Sequence, residues 1–334
     1  SATHDHFWDP LDKKYIDFTA PFDMENEALL PDDMFPIFAT RVGEKLTGKD
    51  KVAFINENVR WMLSAILHGE QGALSLSASL CHILRDPGAQ EYAANQAREE
   101  ARHVAAFTKY VHARWGTPLP VGPTLGNLLT EMVNAPEVYK KIVGMQMLVE
   151  GLAMGAFATM YNKARDPLLV KLMQLVMTDE AFHHKFGKIW ADRTIPKLSA
   201  DEQNIIEDWA AHCFQTLLFN LINPEQMKDV YAKFGIDWQD AQAALVEAIT
   251  DDERRERMRE SSDIFRVLIK TLLKAGIITE RTKAFYQTYV DMDELKAEGD
   301  HMVGDDIAEE GIKYLQAINF GANAKTGSIL MAAE

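Results

Sequence analysis

The sequence predicts an all-α fold, a four-helix bundle followed by additional C-terminal helices, and three observations predict it. Long segments repeat their apolar residues at helical period, and no stretch alternates at period two for long enough to build a sheet. Cap and turn signals punctuate the chain at intervals that suit helices. Above all, the chain repeats itself at a distance of eighty residues. Glu70, Arg85-Asp86-Pro87, Glu100 and His103 recur as Glu150, Arg165-Asp166-Pro167, Glu180 and His183.

Taken in order, residues 1–50 are rich in Pro, Asp and aromatics and weakly periodic, and read as an N-terminal arm with short helices laid on the bundle. A first helix spans about Lys51 to Leu84 and stops at Arg85-Asp86-Pro87-Gly88. There Asp86 suits an N-cap and Pro87 the first helical position. The second helix runs from about Ala89 to Trp115 and ends at Gly116-Thr117-Pro118. After a loop and a short helix, the third runs from about Pro136 to Ala164. Asp166-Pro167 repeats the cap-and-start device, and a fourth helix continues to about Asp192. The bundle so defined covers residues 51–195. Ser199 and Glu202 form a capping box that opens a fifth helix to about Leu221. Residues 196–334 read as accessory helices packed on the bundle within one structural domain. Breaks are expected at Asn223-Pro224, Gly235, Asp251 and Gly276, with an irregular Gly/Ala-rich tail from Asn319.

Composition bounds the function classes. The chain has 334 residues, 47% hydrophobic and 25% charged, enough to bury a large core. No uninterrupted apolar run reaches ~18 residues, so no membrane span is expected. The start, Ser1 to His6, lacks the basic and apolar regions of a secretory signal. Cys81 and Cys213 read as reduced core residues, and a cytoplasmic location is the expectation. A formal net charge of −15 argues against nucleic acid and anionic membrane surfaces as partners.

The repeat carries the chemistry. Glu70 lies 17 residues before Pro87, and Glu100 and His103 lie 13 and 16 residues after it. At ~1.5 Å per residue both arms reach roughly 20–25 Å from the turn, so Glu70 faces Glu100 and His103 across a hairpin. Glu150, Pro167, Glu180 and His183 obey the same arithmetic. Packing the hairpins face to face brings four carboxylates and two imidazoles to one level. The i, i+3 spacing puts Glu and His on one helix face, where both can bind the same metal while Glu bridges to its neighbour. Such a set suits two iron ions, or manganese with iron, whereas zinc more often takes thiolates or three histidines. A lone Glu-x-x-His pair is ordinarily a solvated helix face. Glu150, however, sits among Met147, Leu148, Val149 and Leu152, where an unpaired carboxylate is costly. Glu99 and Asp179 precede the two motif glutamates. By the bundle's pseudo-twofold symmetry, Asp179 is expected to orient His103 and Glu99 to orient His183, with Arg102 bridging this outer layer. His184, His68 and His82 are given no ligand role.

Glu99-Glu100-Ala101-Arg102-His103 resembles the E-E-x-R-H motif of soluble acyl carrier protein desaturases and related oxidases. Asp179-Glu180-Ala181-Phe182-His183 resembles the D-E-x-x-H motif of bacterial multicomponent monooxygenases, desaturases and ribonucleotide reductase small subunits. On these motifs residues 51–195 resemble the ferritin-like di-iron carboxylate superfamily. The resemblance implies a ferritin-like bundle, Glu70, Glu100, His103, Glu150, Glu180 and His183 as ligands, and metals that react with dioxygen. Its subfamilies are not matched at their marker residues. Phe107 stands where reductase small subunits carry a radical tyrosine. Met154 and Ala153 stand where the monooxygenases and the desaturases carry threonine, and Val176 where arylamine N-oxygenases carry an extra histidine. The chain reads as a less familiar branch.

The expected function is a dioxygen-activating di-iron oxidoreductase, an oxygenase that hydroxylates or N-oxygenates a small hydrophobic or aromatic substrate. Ala73, Leu74, Phe107, Ala153, Met154 and Phe157, one turn from the ligands, are the candidate substrate pocket. No Gly-x-Gly-x-x-Gly fingerprint is present, so two electrons must come from an external donor, a ferredoxin or flavin reductase. Arg41, Lys45, Lys49 and Lys51 form a candidate docking patch, with a solvated loop as the plainer reading. An acyl-chain desaturase and a Mn/Fe ligand-binding oxidase are the alternatives. Ferroxidase or iron storage comes last, because the long helical stretch after the bundle better suits covering the site or building a homodimer.

Overall fold

In the computed structural model, which describes residues 6–248, 250, 264–299, 302 and 304–321, two helical hairpins face each other. Helices α1 (Gly48–Ile83) and α2 (Pro87–Trp115) form the first. A short α3 (Pro123–Asn134) crosses α1 and leads to the second, α4 (Val138–Lys163) and α5 (Pro167–Thr194). The duplicated turn is physical. Asp86 accepts from the Ala89 N–H at 2.8 Å and Asp166 from the Leu168 N–H at 2.9 Å, each with proline at the first helical position. Gly116 ends α2 at φ +79°, a conformation that only glycine adopts cheaply.

Beyond the bundle run α6 (Ala200–Ile222), opened by the Ser199/Glu202 capping box, then α7 (Lys228–Lys233), α8 (Trp238–Ala248) and α9 (Ile264–Lys274). Helices α10 (Glu280–Tyr286), α11 (Met292–Ala297) and α12 (Asp305–Phe320) follow. No strand occurs among the described residues. The break expected at Asp251 and the tail beyond Gly321 lie outside them, and α12 carries helix slightly past the expected stop at Asn319.

The sequence reads the third long helix as unbroken, and here the structure differs. Between Val138–Lys141 and Glu150–Lys163, residues Ile142–Val149 form a π-helix, and the Glu150 N–H donates to the Met145 carbonyl five residues back. Gly144 lies so close to Met132 of α3 that a Cβ there would overlap the methionine sulfur. The buried Lys141 closes the approach from the other side, donating to the last carbonyls of α3, Met132 O at 3.2 Å and Val133 O at 2.5 Å. By length and composition α4 is apolar enough to cross a membrane, but its apolar window is 78% buried inside the bundle, as befits a core helix.

Two large apolar clusters fill most of the interior, and a third, smaller one joins Ile37, Val42 and Phe54 to Tyr231 and Ala241. One of the large clusters joins the C-terminal end of α1 to α3, the π-helix, α6 and α9 through Leu80, Met132, Leu148, Phe214 and Leu272. The half-buried Cys81 packs on this cluster and Cys213 lies within it, both as free thiols. The other joins the N-terminal arm to both hairpins through Trp8, Leu29, Leu63, Tyr110 and Phe157. Asn56 of α1 pins the arm, accepting from Leu29 N–H and donating to Met24 O and Glu27 O. The expected docking patch is largely spent: Arg41 pairs with Asp240 at 2.6 Å and Glu247 at 3.3 Å, and Lys51 pairs with Asp32.

Candidate metal centre

Glu70 on α1, Glu100 and His103 on α2, Glu150 on α4, and Glu180 and His183 on α5 meet in the bundle interior, none more than 5% exposed. Their ligand atoms form two groups, each with all members within 4.8 Å of one another. One comprises Glu70, Glu100, His103 and Glu180, and the other Glu100, Glu150, Glu180 and His183. Glu100 and Glu180 belong to both.

The hydrogen-bond directions test whether cations fit. His103 Nε2 lies 2.9 Å from Asp179 Oδ2, and His183 Nε2 lies 2.9 Å from Glu99 Oε2. With those outer nitrogens donating to carboxylates, the inner Nδ1 atoms present lone pairs. Yet His103 Nδ1 lies 3.2 Å from Glu70, 3.4 Å from Glu100 and 3.0 Å from Glu180, and His183 Nδ1 lies 3.0 Å from both Glu100 and Glu180. Single protons cannot satisfy so many oxygens. Glu100 Oε2 and Glu180 Oε1 are buried without a hydrogen-bond donor. Four carboxylates and two imidazoles in that arrangement match two divalent cations sharing Glu100 and Glu180.

Among the protein's own groups the site is electrostatically split. Burial, with His103 opposing it, pushes Glu70 well above the carboxylate range, and burial with the neighbouring Glu180 and Glu100 does the same to Glu150. Burial also acts on Glu100 and Glu180, but the imidazoles outweigh it and hold both low. Burial lowers His103 and His183, and the surrounding carboxylates overcome it and raise both. Cations must displace these protons. Raised histidines contribute stability that is fully present below their ordinary value and lost as pH rises through the folded value. Glu70 and Glu150, raised as acids, also favour folding less as pH rises above their ordinary range. The lowered Glu100 and Glu180 give the opposite limb, losing stability at acid pH. Chelator-treated protein is therefore expected to lose thermal stability as pH rises above about 6.5, while iron-loaded protein does not. Melting curves of both forms across neutral pH check this, and parallel curves would refute it.

The outer layer contains more than the sequence reveals. Asp179 accepts from Arg102 at 2.6 Å and from the Trp8 indole at 2.9 Å, and His6 lies 3.7 Å from its other oxygen. Burial raises Asp179, but Arg102 and His103 more than reverse it and keep the carboxylate ionised. Trp8 stacks near the His103 ring, with centroids 6.1 Å apart. His6, Glu99 and Asp179 lie close enough to ligate an ion, but both carboxylates are already engaged, so this trio is better read as a hydrogen-bonded shell. Gln96 donates to Glu100 at 3.0 Å and Glu150 at 3.3 Å, linking α2 to α4. Its place one turn before Glu100 was the available signal for Gln96. Nothing in the periodicity of the arm marks Trp8 or His6.

A cavity of about 110 Å³ opens against Glu70 and Glu150 between α1, α4 and α6. Of the expected pocket residues, Ala73 and Ala153 line it. Met154 instead lines a larger cavity of about 220 Å³ with His184, Lys185 and Lys188, which none of the six candidate ligands touches. Leu74, Phe107 and Phe157 line neither of these cavities. One-turn spacing does not fix which way a residue faces, and Phe107 and Phe157 stack on each other in the core at 5.7 Å. His184 meets Thr271 rather than the cluster, and His68 contacts Gln71 and the Leu119 carbonyl.

A family model described as P-aminobenzoate N-oxygenase AurF matches residues 1–272. No curated protein and no solved structure matches the chain.

Proposed function

The chain belongs to the P-aminobenzoate N-oxygenase AurF family and is a di-iron, dioxygen-dependent oxygenase; we propose that it N-oxygenates a small, uncharged aromatic amine held in the cavity beside Glu70 and Glu150. Membership holds although Val176, fully buried in the core, stands where arylamine N-oxygenases are expected to carry a histidine.

In this reading Glu70, Glu100, His103, Glu150, Glu180 and His183 would hold the two irons, and Glu100 and Glu180, which stand in both groups, would serve both. The observation that carries it is the pair of overlapping four-residue groups. The irons, when bound, supply the reduction of dioxygen and the insertion of one oxygen atom. The chain's residues do the rest. Asp179 and Glu99 fix the imidazoles through their outer nitrogens, and the Gln96 amide holds Glu100 and Glu150 in place. The two apolar clusters on either side keep water away from the reacting amine. In balance, one oxygen atom enters an N–H bond of the amine and the other leaves as water, consuming two electrons and two protons. A ferredoxin or flavin reductase would supply the electrons.

Cavity size supports a single ring. A cavity of about 150 Å³ accepts benzene; the one here is about 110 Å³ with a small adjoining space, so one ring fills it, whereas an acyl chain of desaturase length needs several times that volume. Charge narrows the class further. The substrate in the family's name carries a carboxylate, but the described lining holds no Lys, Arg or His and already contains two acids. A substrate anion there would be unpaired. A homodimer is supported by Ile205, Phe219 and Ile222, exposed along one face of α6.

The test is anaerobic loading with ferrous iron, then dioxygen, a chemical reductant and neutral anilines, with products read by mass spectrometry. Arylhydroxylamine or further oxidised nitrogen is expected. Ring hydroxylation alone would overturn the N-oxygenase reading, and ferric mineral without any oxygenated arene would overturn the oxygenase.

A further inference from the structure

The cavity has one feature that metal binding does not use. Asn220, near the C-terminal end of α6, is only 6% exposed and lines the cavity, and among the described residues no hydrogen bond engages its side-chain amide. A primary amide offers two donors and one acceptor, and that of Asn220 borders the cavity space, where a ligand can complete it. The surrounding wall sharpens the contrast, because apart from Glu70 and Glu150 the inner cavity is lined by apolar side chains, glycine and the ring of Trp61.

Position says what the amide meets. A second, much smaller cavity, lined by Pro120, Gly122 and Gln226, adjoins the first, and the two share Trp61, Ala65, Leu125 and Asn220. On α1 the lining runs from Glu70 back through Ala65 to Trp61. At ~1.5 Å per residue that places the shared end roughly 7–13 Å along the helix from the metal-side carboxylate. A benzene ring with substituents at opposite ends spans the shorter of those distances. A ring whose amine faces Glu70 and Glu150 therefore brings its para substituent to Asn220.

We propose that Asn220 is a specificity-determining residue that selects a neutral, hydrogen-bonding para substituent, such as a carboxamide, on an aromatic amine. The inference rests on the oxygenase reading above for the identity of the amine end, but the amide's role is read by binding alone. The carboxamide N–H and carbonyl pair with the Asn220 carbonyl and N–H. A methyl group of similar size leaves the Asn220 amide unpaired, and a carboxylate faces it without a cation.

The probes are 4-aminobenzamide, 4-methylaniline and 4-aminobenzoate, titrated calorimetrically into anaerobic, ferrous-loaded full-length protein, wild type and Asn220→Leu. Wild type is expected to prefer the amide over the methyl compound by about tenfold or more, and to bind the carboxylate more weakly than the amide. In Asn220→Leu that preference collapses or inverts. Asn220→Ala, with the same expected loss, replaces it if leucine prevents folding. A wild type that binds none of the probes or shows no preference, or a variant that keeps the wild-type preference, overturns the proposal. Product analysis separates the two readings. A preference lost in the variant with no oxygenated product from any probe sinks the reaction and leaves the role of Asn220 standing. Oxygenated product with an unaltered preference does the reverse.

Discussion

Glu100→Ala is expected to lose both irons, whereas Glu150→Ala keeps one. Glu100 belongs to both four-residue groups, and Glu150 to only one of them. Removing Glu150 leaves Glu70, Glu100, His103 and Glu180 as a complete first set, while removing Glu100 leaves three donors in each. Metal analysis after desalting should give about one ion per chain for Glu150→Ala and fewer for Glu100→Ala, against about two for wild type. Oxygenation should vanish in both, a loss of at least ~10³, because even outer partners of metal ligands are typically worth 10–100-fold in metal affinity or activity. Equal iron content in the two variants would sink the shared-ligand assignment. Full occupancy in either would remove that residue from the ligand set.

Asp166→Ala is expected to have the largest effect on stability of any change outside the metal cluster. Asp166 is 1% exposed and serves three partners at once. It caps α5, accepts from the Tyr110 hydroxyl at 2.7 Å, and pairs with Arg114 through Nε at 2.8 Å and Nη2 at 3.1 Å. Alanine strands a buried guanidinium, which typically costs about 3–5 kcal/mol, and removes a cap worth roughly 1 kcal/mol. Asp86→Ala, at the matching but exposed turn, loses only the cap. Denaturant titration separates the two, and comparable losses would refute the buried-pair argument. In the Asp166→Ala background, Arg114→Leu should recover part of the loss, because it removes the unpaired charge.

That contrast shows where reading a sequence stops. Arg85-Asp86-Pro87 and Arg165-Asp166-Pro167 are identical in letters, and the cap they encode forms at both. Local chemistry of this kind is legible because it needs only neighbours within one turn. The duplicated spacing was likewise enough to bring Glu70, Glu100, His103, Glu150, Glu180 and His183 together, since helical rise converts counts into heights. Partners distant in the chain were not legible. Trp8 reaches Asp179 across 171 positions, and no periodicity announces it. The cavity wall was not legible for the same reason: part of it comes from α6, outside the repeat, and spacing alone does not show that Phe107 and Phe157 stack on each other. Chemical class was more legible than lineage, because Val176 pointed away from the N-oxygenases and the family match spans that position.

The π-helix ahead of Glu150 bears on how far the two copies are interchangeable. A bond reaching five residues back closes a loop one residue longer than in an α-helix, and one residue is worth roughly 100° of rotation. Upstream of Glu70 the helix is regular, and upstream of Glu150 it is not. The two hairpins therefore correspond residue for residue only from their first glutamates onward. Before that point the second copy follows a wider coil than the first. A graft of the α1 lead-in into α4 would turn Glu150 away from its place, so the two copies, however alike in their donor atoms, are no longer exchangeable parts.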